Sequence, residues 1–215
     1  MKNDLIVILI VFFYILLVYS LPIFFYKKKK LKKIHARNII HFFSGLSIIS
    51  LFFAQNKWLY LIASLIITFI IFLARKKTII LKHVYESLAH EEEKNYLHGP
   101  FIYGLAISYL ILFSIIFNNN LIPLASTLIL TISDPLACVI GKKYGTIIIP
   151  YLKNKRTIKG SLGMFFSSAI ILLFFYGFSI KIIGISLILT IVELISPSKI
   201  DDFTLPLTCS ILMLN

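Results

Sequence analysis

The stretch "LIPLASTLILTISDPLACVIGKKYG", Leu121 to Gly145, decides what kind of protein this is. Its first half is an apolar run suited to hydrocarbon. Asp134 then follows, with small residues, a glycine, two lysines and Gly145 behind it. Asp134 precedes Lys142 by eight residues, which on a helix places the carboxylate about 12 Å inside the basic end. A carboxylate facing lipid at that depth costs on the order of 3 kcal/mol, so Asp134 must face a cavity or a partner. Ser133-Asp134-Pro135 also has the form of a helix start, a capping side chain followed by proline in the first turn. Two outcomes follow from this. Either the span breaks at Ser133 and leaves a half-helix with a buried N-terminus, or Asp134 is a structural cap in a kinked helix.

Working outward, similar apolar runs recur along the 215 residues, of which 59% are hydrophobic, with a mean hydropathy of +0.92. That pattern predicts an all-α polytopic membrane bundle of seven to eight transmembrane helices, forming a single integral membrane domain over 1–215. Crossings are expected at 5–26, 39–54, 58–74, 100–117, 121–141, 161–179, 182–196 and 203–214, the last two short. Residues 1–36 read as a first anchor and its basic loop. The first run exceeds a signal-peptide core, lacks a small-residue cleavage site and ends in lysines. Within 75–99, Ile80, Val84 and Leu88 have the spacing of an amphipathic interfacial helix. Glu91, Glu92 and Glu93 read as solvated. Cys138 and Cys209 offer neither a disulfide framework nor a zinc spacing, and read as small apolar packing.

The net charge of +13 does not mark a nucleic-acid binder, because of where the charge lies. With alternate connections assigned to opposite faces, nineteen Lys and Arg fall on one side and Lys2, Lys57 and Lys181 on the other. Basic residues collect on the cytoplasmic side, so the N-terminus is expected outside, with the large loops in the cytoplasm of a cell-membrane protein.

Chemistry gathers on that basic side. Gly141 and Gly145 flank "KKY", where glycine admits another backbone or a phosphate and Lys142 supplies charge; the same residues also make an ordinary helix end. Lys153, Lys155, Arg156 and Lys159 lead into Gly160-Ser161 at the start of the next helix. Such a helix start is a ready anion site, and equally a solvated basic loop. Glu193, Asp201 and Asp202 approach the same face. Of nine acids, four (Asp134, Glu193, Asp201, Asp202) thus come to one leaflet beside the basic loop. Carboxylates, cations and glycines at a membrane surface describe a seat for a magnesium-bound polyphosphate that meets a lipid.

In order, these residues resemble the membrane-embedded, CTP-dependent lipid kinases, which include the dolichol, phytol and yeast-type diacylglycerol kinases. Those enzymes are often grouped with phosphatidate cytidylyltransferases. The family's Asp, Ala and G-x-x-x-G appear as Asp134, Ala137, Gly141 and Gly145. Its K-[ST]-x-x-G-S appears as Arg156-Thr157-Ile158-Lys159-Gly160-Ser161, and its final acidic motif as Glu193 and "DDFTLP". An early R-K-x-x-H reads Arg37-Asn38-Ile39-Ile40-His41, and "LHGPFIYG" supplies Gly99 and Tyr103. The resemblance covers 37–206. It departs at Asn38 and Arg156, where lysine is usual, and at Asp202, where asparagine is usual.

The resemblance implies transfer of the γ-phosphoryl group of CTP to an isoprenoid alcohol such as dolichol or a polyprenol. It places Mg²⁺ on Asp134 with Glu193 or Asp202, and phosphates on Lys142, Arg156 and Lys159, assisted by Thr157, Gly160 and Ser161. Asp201 or Glu193 would orient the attacking hydroxyl. Arg37, His41 and Gly99 would be accessory. The partners are then a membrane lipid alcohol and a nucleotide, with no nucleic acid. Two alternatives stand beside this reading: cytidylyl transfer to a lipid phosphate, and a small transporter. The transporter would need ionisable groups through the full depth, and the outer half carries almost none.

Overall fold

The computed structural model describes residues 2–74, 85, 97–150, 156–197 and 200–214. The expected interfacial helix at Ile80–Leu88, the triplet Glu91 to Glu93, and Lys153 and Lys155 lie outside the described residues. Each apolar run forms a helix, as hydrocarbon requires of a backbone that must satisfy its own hydrogen bonds. The chain divides into two compact units, Met1–Ile116 and Phe117–Asn215, where the sequence reads as one domain.

The first unit opens with α1, Lys2–Lys27. It ends in a Schellman turn: the Lys29 N–H donates to Tyr26 O (2.9 Å) and the Lys30 N–H to Phe25 O (3.0 Å), with Lys29 at φ 55°. Glycine is the usual residue there, and a side chain in that conformation costs about 1 kcal/mol. Helix α2, Lys33–Gly45, runs on as a 3₁₀ segment, Leu46–Phe52, so the crossing expected at 39–54 tightens midway. Tyr14 Oη ties α1 to α2 by donating to Phe43 O at 2.7 Å. Buried Asp4 accepts the Gln55 and Asn56 N–H groups at 2.7 and 3.0 Å, fixing the turn before α3, Lys57–Leu73. Helix α4, His98–Phe117, lies close against α3: a methyl at Gly104 would collide with the Thr68 side chain, and the Ser64 and Ser108 hydroxyls meet at 3.0 Å.

The second unit begins with the opening stretch. Helix α5, Leu121–Leu128, passes through one π turn, Ile129–Ser133, into α6, Asp134–Tyr144. The chain does not break at Ser133, contrary to the half-helix expectation: Ser133 is helical (φ −70°, ψ −42°) and its side chain caps nothing. Pro135 lacks an N–H and its ring crowds the preceding turn. The wider π turn absorbs that conflict, with the Asp134 N–H donating to Ile129 O. Helices α7, Ile158–Tyr176, α8, Ile180–Ile195, and α9, Asp201–Leu214, complete the unit. Ala125, Ile129, Met164, Leu172, Leu189 and Leu205 form its core, with Cys209 buried among them.

Large apolar side chains point outward, and Phe174, Phe178 and Ile180 are 82%, 83% and 85% exposed. In a soluble protein such a surface would be a liability; facing lipid it is the expected solvent boundary. Among the described residues, four helices are long and apolar enough to cross a membrane: Asn3–Lys27, His98–Phe117, Leu121–Tyr144 and Ile158–Tyr176. Lys57–Leu73, with 17 residues, is shorter and also apolar.

Candidate active site

The second unit brings most of the sequence-predicted residues together. Helices α6 and α7 cross on small residues. A methyl at Gly160 would sit 3.0 Å from Ala137 O and 3.3 Å from Gly141 Cα. One at Gly141 would meet Thr157 Oγ1 at 3.0 Å, and one at Gly145 would overlap Gly141 O and the Thr157 side chain. Ala137, Gly141 and Gly145 thus form a small-residue seam of the kind that lets membrane helices pack backbone to backbone. From sequence these glycines are open to a backbone or a phosphate: the structure packs them against backbone, and Gly141 and Gly145 also line a cavity.

The basic connection after α6 is pinched at its ends. Ile148 and Thr157 form an antiparallel bridge, the Ile149 N–H donates to Arg156 O (2.8 Å), and the Ile158 N–H donates to Ile147 O (3.2 Å). Thr157 then caps α7, its Oγ1 accepting from the Gly160 N–H at 3.2 Å. The Ser161 hydroxyl donates back to Thr157 O at 3.2 Å. The Gly160 N–H, expected to face an anion, is thus occupied by the chain's own cap, while Gly160 and Ser161 both line the cavity described below.

The Arg156 guanidinium pairs with Glu193 through Nη1 and with Asp201 through Nη2 at 3.2 Å, instead of lying open to phosphates. The cause is electrostatic. Glu193 is only 2% exposed, and a carboxylate withdrawn from water that far needs a counter-charge and a hydrogen bond. The fork of an arginine reaches two carboxylates at once, which a lysine ammonium does less well. So arginine at position 156 has a structural use.

Asp134 is in electrostatic contact with Asp201, Glu193 and Arg156. Two carboxylates, Glu193 and Asp201, therefore share one guanidinium, with Asp134 in electrostatic reach of all three groups. At the mouth of α9, burial pushes the Asp201 carboxyl above the usual carboxylate range, and Arg156 pulls it back down. Asp202, expected at the metal, donates its backbone N–H to Asp201 Oδ1 (3.1 Å), and Asp201 acts electrostatically on Asp134.

Beside this cluster opens a cavity of about 270 Å³, lined by Gly141, Lys142, Arg156, Thr157, Ser161 and Glu193 among others. Cys138 also lines it, a position sequence reading gave to packing. The signal was available: Cys138 and Lys142 are four residues apart and share a helix face. Lys142 is exposed, as is Lys159 in the first turn of α7. Among the described residues, no three His, Cys, Asp or Glu side chains are set to close on a metal by themselves. Carboxylate oxygens are the hard donors that Mg²⁺ takes, one or two at a time, completing its shell with phosphates and water.

The accessory residues fall in the first unit. His41 and Tyr103 stack with ring centroids 4.5 Å apart. Tyr103 Oη donates to His41 O at 3.1 Å and accepts from Ser44 Oγ at 3.2 Å. Arg37 is half-buried on α2, and Gly99 lies in the first turn of α4.

What the fold and site define is an all-helical protein with apolar helices of membrane-crossing length and an acidic cluster beside a lysine-rimmed cavity. No family model, curated protein or solved structure matches the chain.

Proposed function

We propose that the protein is a polytopic membrane enzyme with its N-terminus outside, and that it transfers the γ-phosphoryl group of CTP to an isoprenoid alcohol at the cytoplasmic leaflet. The observation that supports this reading best is Glu193, which lines a cavity together with Lys142 and Arg156 and is in electrostatic reach of Asp134, itself near Asp201. Phosphoryl transfer asks a protein for positioning and charge neutralisation, and a cluster of this composition at a cavity supplies both.

In this mechanism the lipid tail stays in the bilayer and its hydroxyl oxygen attacks the γ-phosphorus. The bond from that phosphorus to the bridging oxygen breaks, CDP leaves, and the hydroxyl proton passes to Asp201 or Glu193. Lys142 and Lys159 hold phosphate oxygens. Asp134, with Glu193 or Asp201, would hold Mg²⁺, which when bound neutralises charge on the phosphates. Arg156 keeps Glu193 and Asp201 in place, and the α6–α7 seam sets the distance from Asp134 to the cavity.

Product analysis tests this. Membranes containing the protein, given polyprenols and CTP labelled at the γ-position, should yield labelled lipid. Asp134→Asn should cut that label by about a hundredfold or more, the scale of losing one preorganised charged group. Release of pyrophosphate with a CDP-lipid product would instead make the enzyme a cytidylyltransferase. Undiminished labelling by Asp134→Asn would remove that residue from the mechanism.

A further inference from the structure

A second cavity lies in the first unit, where α1 ends and α2 begins. It measures about 300 Å³ and is lined by Leu21, Pro22, Phe25, Leu31 and Ile39, with Lys30 as its polar member. That size falls at the lower end of ligand pockets. Lys30 and Leu31 of its lining belong to the run "KKKKLKK", Lys27 to Lys33, in which Lys27 to Lys30 and Lys32 are exposed. Lys28 Nζ rests 4.4 Å from the centre of the Phe24 ring, one turn back on α1.

From this arrangement we infer a site for an anionic phospholipid: one acyl chain in the Leu21–Phe25–Ile39 groove, and the phosphate among Lys28, Lys29 and Lys30. Orientation of the helix requires positive charge near its end, and any of the neighbouring lysines provides it. Orientation does not require a lysine at φ 55°, where glycine would relieve the backbone. Keeping a strained residue points to a use for its side chain. A cationic turn over an apolar groove matches the two halves of a phospholipid, anionic head and hydrocarbon tail. A soluble anion would use only the first. Juxtamembrane lysines each strengthen such binding by about fivefold. This inference concerns the first unit alone and is independent of the proposed kinase activity.

Native mass spectrometry of the full chain in detergent tests it, with phosphatidylglycerol and phosphatidylcholine of equal chain length added in parallel. The expected result is preferential retention of phosphatidylglycerol. Lys29→Gly should reduce that preference about fivefold while raising the melting temperature, and Lys181→Gln should leave it unchanged. Leu31→Trp, which fills the groove, should weaken retention of the long-chain lipid. Equal retention of both lipids would overturn the site, as would an unchanged preference in Lys29→Gly. Competition by glycerophosphoglycerol as strong as by the intact lipid would mean a headgroup site only, and would overturn the groove.

Discussion

Arg156 carries more of the second unit's electrostatics than its place in a basic loop implies. It holds Glu193, which is almost fully buried, and Asp201 at the start of the next helix. Removing the guanidinium leaves the Glu193 charge unpaired in a low dielectric. Arg156→Gln should therefore destabilise the protein by about 3 kcal/mol, and Glu193→Gln in the same chain should recover most of that loss. Arg156→Lys keeps the charge and loses the two-pronged geometry, so it should fall between them. Thermal unfolding of the wild type, Arg156→Gln, Glu193→Gln and the double variant checks the cycle; additive losses would mean that the pair does not interact. Pairs of this kind were not legible in the sequence. The acids and the basic run were visible as a convergence on one face, but nothing in the order of residues says which cation neutralises which carboxylate. That depends on the antiparallel bridge between Ile148 and Thr157, which sets where Arg156 emerges.

At the level of elements, the α6–α7 crossing and the π turn set the site's geometry. Gly145→Ala places a methyl against Gly141 O and Thr157, so the helices must part. A loss of about 1–3 kcal/mol is expected, with weaker nucleotide binding because the cavity is built on this crossing. Gly184→Ala is the control: nothing lies within 4 Å of the added methyl, and a helix interior gains up to about 1 kcal/mol from the change. Unfolding curves and nucleotide affinity for both variants decide the matter; equal effects would contradict the crossing argument. Pro135→Ala restores a backbone donor and removes the cause of the π turn. It should stabilise α5–α6 yet lower activity by turning Asp134 away from Glu193 and Asp201. Element positions were legible from hydropathy because hydrocarbon imposes one rule on every backbone group. The π turn was not, because Ser-Asp-Pro fits a helix start as well as a strained helix interior. The seam glycines were ambiguous for a similar reason: close approach is one requirement, whether a backbone or a phosphate does the approaching.

For the whole molecule, the proposed topology follows from nineteen basic residues against three. In a chain with Cys138 and Cys209 replaced by serine, a cysteine at Lys181 should react with an impermeant maleimide from outside intact cells. One at Lys143 should react only after permeabilisation. The reverse pattern would invert the protein and put the cavity on the wrong side for a nucleotide. The central claim, however, is that the acidic cluster and Lys142 serve one magnesium–nucleotide pocket. Equilibrium binding of a fluorescent CTP analogue to the purified full chain tests it most directly, with and without EDTA. Binding should require Mg²⁺, and Asp134→Asn and Lys142→Gln should each weaken it at least about tenfold. Binding indifferent to Mg²⁺ and to both substitutions would contradict it.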